Sequence, residues 1–67
     1  MKKYRVEHAH WVDGSGWSYV ETIDNTDELL TEEELGEYYA EYCESSGDEI
    51  RLTENDTDEI VEKFERE

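Results

Sequence analysis

The sequence predicts an α+β domain, a small antiparallel β-sheet with two helices in the order β-β-α-β-α. Three observations carry this: period-two alternation at the N-terminus, a helix-start signature ahead of an apolar stripe near the middle, and a second alternating run followed by another cap. In residues 3–12, Tyr4, Val6, His8, His10 and Val12 fall on one face and Arg5, Glu7, Ala9 and Trp11 on the other, as in a strand. Asp13-Gly14-Ser15-Gly16 supplies residues that tolerate positive φ, and residues 17–23 resume a β-rich run. Residues 1–23 therefore read as a hairpin.

Thr31-Glu32-Glu33-Glu34 then forms a capping box, with Leu30 placed to staple onto Leu35. Leu35, Tyr38, Tyr39, Tyr42 and Cys43 follow the spacing of one buried helical stripe, and Ser45-Ser46-Gly47 stops it. The spacing predicts a helix over 32–44. Residues 48–53 alternate around Ile50 and Leu52 as a third strand. Glu54-Asn55-Asp56-Thr57 offers another cap, with Asp56 and Glu59 at capping-box spacing and Ile60, Val61 and Phe64 as the inner face of a second helix over 57–66. Both helices are expected on one face of the sheet, the simplest two-layer arrangement.

A chain of 67 residues allows a single domain, and 21 Asp and Glu against 6 Lys and Arg give a net charge of −15. A core drawn from 34% hydrophobic residues implies marginal stability. It also leaves little wall for a buried pocket, so no enzymatic activity is expected. The 12% aromatic content at structured spacings argues against disorder. No run approaches a membrane span, and Met1-Lys2-Lys3-Tyr4 leads into polar alternation, so the expected location is the cytoplasm. Cys43 is the single cysteine, which excludes a disulfide framework and a cysteine cluster for zinc. An acidic chain is repelled by nucleic acid and anionic lipid, so a charge-driven partner is a basic protein.

The charge is uneven. Residues 1–20 carry a net +1 (3 cations, 2 acids) and residues 21–67 a net −16 (3 cations, 19 acids). On a helical wheel Glu33, Glu37, Glu41 and Glu44 lie opposite the apolar stripe, with Glu34 on the flank. Between Glu32 and Glu44 there is no Lys or Arg, so the pairs Glu33/Glu37 and Glu37/Glu41 repel without compensation, by roughly 0.2–0.5 kcal/mol each. Glu44 also sits at the helix end that favours cations. A helix rises about 16 Å from Glu33 to Glu44, which spaces these charges roughly 4 Å apart, close to the ~3.4 Å per phosphate of a DNA strand. The expected contact residues are Glu33, Glu34, Glu37, Glu41 and Glu44. Asp24, Asp27 and Glu28 form a next layer before the helix, and Asp48 and Glu49 extend the track after it. In the second helix Glu59/Lys63 and Glu62/Arg66 are favourable pairs, and its acids read as a solvated face.

Other chemistry is weaker in the sequence. His8 and His10 share a strand face and can address one metal, with Cys43 or a carboxylate completing the set. Two ligands without a fixed third are a weak signal beside the reading as half-exposed strand histidines, so no metal or other cofactor is expected. The segments Asp24-Asn25-Thr26-Asp27-Glu28 and Asp56-Thr57-Asp58-Glu59 lack the glycine and the terminal Glu of a calcium loop. Cys43 falls in the apolar stripe and reads as a buried structural thiol. Trp11 and Trp17 flank the hairpin turn, where Ala9 and Trp11 can form an apolar patch on an uncovered sheet face, a surface for a partner or for a homodimer.

Size, charge and the one-sided carboxylate row resemble the small acidic inhibitors of bacteriophages and mobile elements: DNA-mimic anti-restriction and anti-CRISPR proteins and the uracil-DNA glycosylase inhibitor. The resemblance covers composition and charge layout; no motif carries it. It implies stoichiometric inhibition in the host cytoplasm, the acidic surface occupying the basic groove of a nuclease, restriction enzyme or CRISPR effector and excluding DNA or RNA. Two further readings stand beside it: a regulatory or adaptor domain that binds through the hairpin aromatics, and an acidic surface that only solubilises, as in a halophilic cytoplasm.

Overall fold

Alternation and turn chemistry build the sheet from the N-terminus. The computed structural model describes residues 2–43 and 47–65, and of residues 17–19 the main chain. Strand β1 (Tyr4–Val12) turns into β2 (Gly16–Thr26) with Gly14 at φ 85° and Gly16 at φ 81°, values that a Cβ disfavours. The Ser15 N–H donates to the Val12 carbonyl at 3.0 Å and closes the turn. Two irregularities in this pairing, at Val6/Glu7 and His10/Trp11, mark bulges that increase the local twist.

Strand β1 also pairs antiparallel with β3 (Asp48–Glu54), and β3 with β4 (Ile60–Glu65), in the sheet order β2-β1-β3-β4. Helix α1 (Glu32–Tyr42) carries the chain from β2 to β3, two strands that flank β1 and run parallel to each other. The element order is therefore β-β-α-β-β, a mostly-sheet fold with one helix among the described residues, and the α+β arrangement with two helices is corrected.

The second helix expected over 57–66 is strand β4. Ile60, Val61 and Phe64, at spacings that suit one helical face, are also β-branched or aromatic residues that favour a pleated surface. The edge of β3 offers them a hydrogen-bonding ladder, and the chain is turned back towards it by local geometry. Asp58 stands at φ 60°, its N–H donates to the Glu54 carbonyl at 2.8 Å, and the Glu54 N–H donates to the Glu59 carbonyl at 2.8 Å. Residues that read as a helix cap serve the turn instead: Arg5 donates to Asn55 Oδ1 and to Asp58 Oδ1, both at 2.9 Å.

Helix α1 starts where the capping box places it. The Glu34 N–H donates to Thr31 Oγ1 at 3.2 Å and the Thr31 N–H to Glu34 Oε1 at 3.1 Å. It ends at Tyr42 with Cys43 as C-cap, two residues short of the expected end; Glu44 lies outside the described residues. Leu35, Tyr39 and Cys43 pack on Tyr4, Val6, Ile50 and Leu52, with Ile23, Leu30, Tyr38 and Phe64 at the margins. Tyr42, placed in the stripe by spacing, is exposed and stacks on Tyr38 with ring centroids 6.4 Å apart. Phe64 reaches from β4 to meet Tyr39 edge-on at 5.3 Å and lies over Gly36, where a Cβ would stand 3.4 Å from the ring.

The face away from α1 divides, apolar at the hairpin end, where Ala9 pairs with Val20 and Trp11 with Trp17 in the register, and charged beyond it. Ala9 is fully buried and Trp11 and Val20 are exposed. Beyond them Arg5 Nε lies 3.4 Å from Glu7 Oε2, Arg51 pairs with Glu49, and the Thr53 hydroxyl donates to Glu7. No helix among the described residues is long and apolar enough to cross a membrane.

Candidate functional site

The acidic surface follows from how α1 is set on the sheet. With Leu35 and Tyr39 turned into the core, Glu33, Glu37 and Glu41 are exposed, spanning about 12 Å of helix. Glu34, Glu37 and Glu41 line a groove with Leu30 and Tyr38. Glu34 also caps the helix, since its Oε1 accepts from both the N–H and the hydroxyl of Thr31. The first turn holds Glu32, Glu33 and Glu34, and the last turn holds no basic residue.

Of the five cations in the described residues four are engaged elsewhere, and Lys63 on β4 is exposed and in none of the ion pairs of the described residues. Lys2 Nζ lies 3.3 Å from Asp27, Arg5 pairs with Glu7 and Asp58, Arg51 with Glu49, and Lys3 Nζ sits 5.4 Å from the centroid of the Tyr4 ring. Among the described residues no ion pair involves a carboxylate of α1. The helix face therefore keeps its negative charge facing solvent.

The next layer is less uniform than spacing suggests. Asp24 accepts from the Tyr38 hydroxyl and from the Asn25 N–H, which together hold its carboxyl below the usual range. The same bond, with burial, pushes the Tyr38 hydroxyl up to about 12. Asp27 accepts from the Lys3 N–H at 3.0 Å and from Lys2 Nζ, and its pKa is lowered in that order of cause. These two acids fasten β2 and the segment after it; Glu28 stays exposed. Asp48 and Glu49 do not extend the track, for at 6% and 3% exposure both are buried in β3.

A second cluster stands at the far end of the core. One ligand atom from each of His8, Cys43 and Asp48 lies within 4.8 Å of the other two. His8 Nε2 is 3.2 Å and His10 Nδ1 2.7 Å from Asp48 Oδ1, while Glu21 Oε1 is 3.4 Å from His8 Nδ1. Burial and the nearby Asp48 push the Cys43 thiol up to about 11, so it is a neutral thiol rather than a nucleophile at pH 7. The His8/His10 strand spacing announced half of this cluster. Asp48 is the carboxylate that the spacing left unnamed, and it arrives because β3 pairs it directly opposite His10. Of the hairpin aromatics, Trp11 faces Trp17 across the β1–β2 ladder; the Trp17 side chain is outside the described atoms. Comparison with protein-family models, with curated proteins and with solved structures finds no match for this chain.

Proposed function

We propose that the protein is a stoichiometric inhibitor that acts as a nucleic-acid mimic, its α1 face entering the basic DNA- or RNA-binding groove of a nuclease, restriction enzyme or CRISPR effector. The single observation that supports this most is the row Glu33, Glu37 and Glu41, exposed and without an ion pair among the described residues, while Lys2, Arg5 and Arg51 are paired with acids outside the helix. Arranging like charges at i,i+4 costs helix stability, and no cation among the described residues pairs with them, which favours a gain made in a partner. Glu33, Glu34, Glu37 and Glu41 supply ionic contacts to Arg and Lys, Glu28 extends them, and Leu30 and Tyr38 give the groove between them an apolar floor. Asp24 and Asp27 contribute negative potential while holding the scaffold.

Charge reversal tests this. Glu37→Lys with Glu41→Lys, checked for an unchanged circular dichroism spectrum, is compared with the wild type in capture from a host-cell lysate at low salt and in inhibition of the captured nuclease. The expected result is loss of capture and of inhibition. A variant that captures and inhibits as the wild type does overturns the reading, and loss on Trp11→Ala alone transfers the function to the hairpin.

A further inference from the structure

The helix-facing positions of the two central strands follow an apolar pattern that breaks at one end. Along β1 they run Tyr4, Val6, His8, His10, and along β3 they run Leu52, Ile50, Asp48. Continuing the apolar pattern would have avoided the desolvation of a carboxylate and an imidazole, and buried charged pairs are often replaced by hydrophobic residues of similar volume without loss of stability. His8 and Asp48 are nevertheless 5% and 6% exposed, and the C-cap of α1 places Cys43 against them. Four groups with metal-binding atoms thus meet where one helix end and two strands converge.

We infer that His8, Cys43 and Asp48 form a site for a single divalent transition-metal ion of borderline softness, zinc being the type. Three features of the geometry support a metal over an ordinary buried polar contact. The donor set of imidazole nitrogen, thiolate sulfur and carboxylate oxygen is the one zinc takes, and donor atoms within 4.8 Å of one another need to close by about 1 Å to share one ion. His8 presents Nε2 to the cluster and Nδ1 to the Glu21 carboxylate at 3.4 Å, the outer arrangement that fixes tautomer and ring orientation in metal-bound histidines. His10 Nδ1, at 2.7 Å from Asp48 Oδ1, steadies the carboxylate; it is a positioning residue, and its side chain is 28% exposed, which leaves solvent a path to the remaining coordination position. Binding replaces the thiol proton of Cys43, which passes to solvent, and ties the C-terminal end of α1 to β1 and β3.

The site is separate from the acidic helix face, and the experiment keeps them apart. The metal-free protein is titrated with Co²⁺ in excess Mg²⁺, which occupies casual carboxylate sites. The expected result is one equivalent bound, with a thiolate-to-cobalt charge-transfer band and the intense visible bands of a four-coordinate ion, displaced one for one by Zn²⁺. Zn²⁺ also raises the thermal unfolding midpoint. Cys43→Ser abolishes the charge-transfer band, and Glu21→Gln weakens binding about tenfold. Glu37→Lys with Glu41→Lys binds cobalt as the wild type does, whatever becomes of inhibition. A wild-type spectrum without the charge-transfer band overturns the assignment with no variant needed, and so does a band that survives in Cys43→Ser.

Discussion

Tyr38 shows how much a single side chain decides in so small a fold. Its hydroxyl joins α1 to Asp24 on β2, and the bond holds the carboxyl below its ordinary range and the phenol up at about 12. In the folded state Asp24 binds fewer protons than it does unfolded, so its stabilisation is full above an ordinary carboxylate pKa and is lost as pH falls through the lowered value. For Tyr38 the folded pKa is raised, so its contribution is full below about pH 10 and is lost as pH rises towards about 12. Tyr38→Phe is expected to cost about 0.5–1 kcal/mol at pH 7, a hydrogen bond to a charged group discounted for exposure. The gap in urea midpoints should narrow as pH falls below the ordinary carboxylate range and as it rises from about 10 towards about 12; a gap that stays equal in both directions would place its origin elsewhere. None of this was legible in the sequence, where Tyr38 reads as one more member of an apolar stripe and Asp24 as one more acid. Spacing names the residues of a face, whereas a contact across 14 positions needs the packed structure.

At the level of elements, the helix was legible and the last strand was not, for a common reason. Thr31 and Glu34 form a local motif whose bonds are made within four residues, so sequence suffices to place the start of α1. Ile60, Val61 and Phe64 carry no such local signature: the same spacing fits a helix face or an edge strand, and the choice falls to the open edge of β3. The two alternatives assign different energies. In a helix all three would bury comparable area, but in β4 Ile60 and Val61 are 49% and 40% exposed while Phe64 packs on Tyr39 and Gly36. Phe64→Ala is expected to cost about 2–3 kcal/mol, below the range for full burial, and Ile60→Ala and Val61→Ala each under about 1 kcal/mol. Chemical denaturation of the three variants checks this, and similar losses in all three would restore the helix. The cluster of His8, Cys43 and Asp48 was half legible on the same principle. Strand alternation pairs the histidines, but only the β1–β3 register delivers the aspartate.

For the molecule as a whole, net charge matters less than its distribution. The hairpin and the outer face of the sheet hold three cations in ion pairs, Arg5 with Glu7 and Asp58, Arg51 with Glu49, Lys2 with Asp27. What remains is a sheet largely neutralised on its outer face and a helix that is not. Such a division has no use in holding 67 residues together, where self-repulsion at −15 only lowers stability. On the proposed function it serves to meet a cationic cleft, where such a charge row speeds association and makes it sensitive to salt. The most direct measurement is a competition titration, in which the captured, purified partner is presented with this protein and a short nucleic-acid duplex together. If α1 stands in the nucleic-acid groove, the two bind exclusively, and the apparent dissociation constant of the protein rises in proportion to duplex concentration. A ternary complex of partner, duplex and protein, with affinity unchanged by the duplex, would contradict the account.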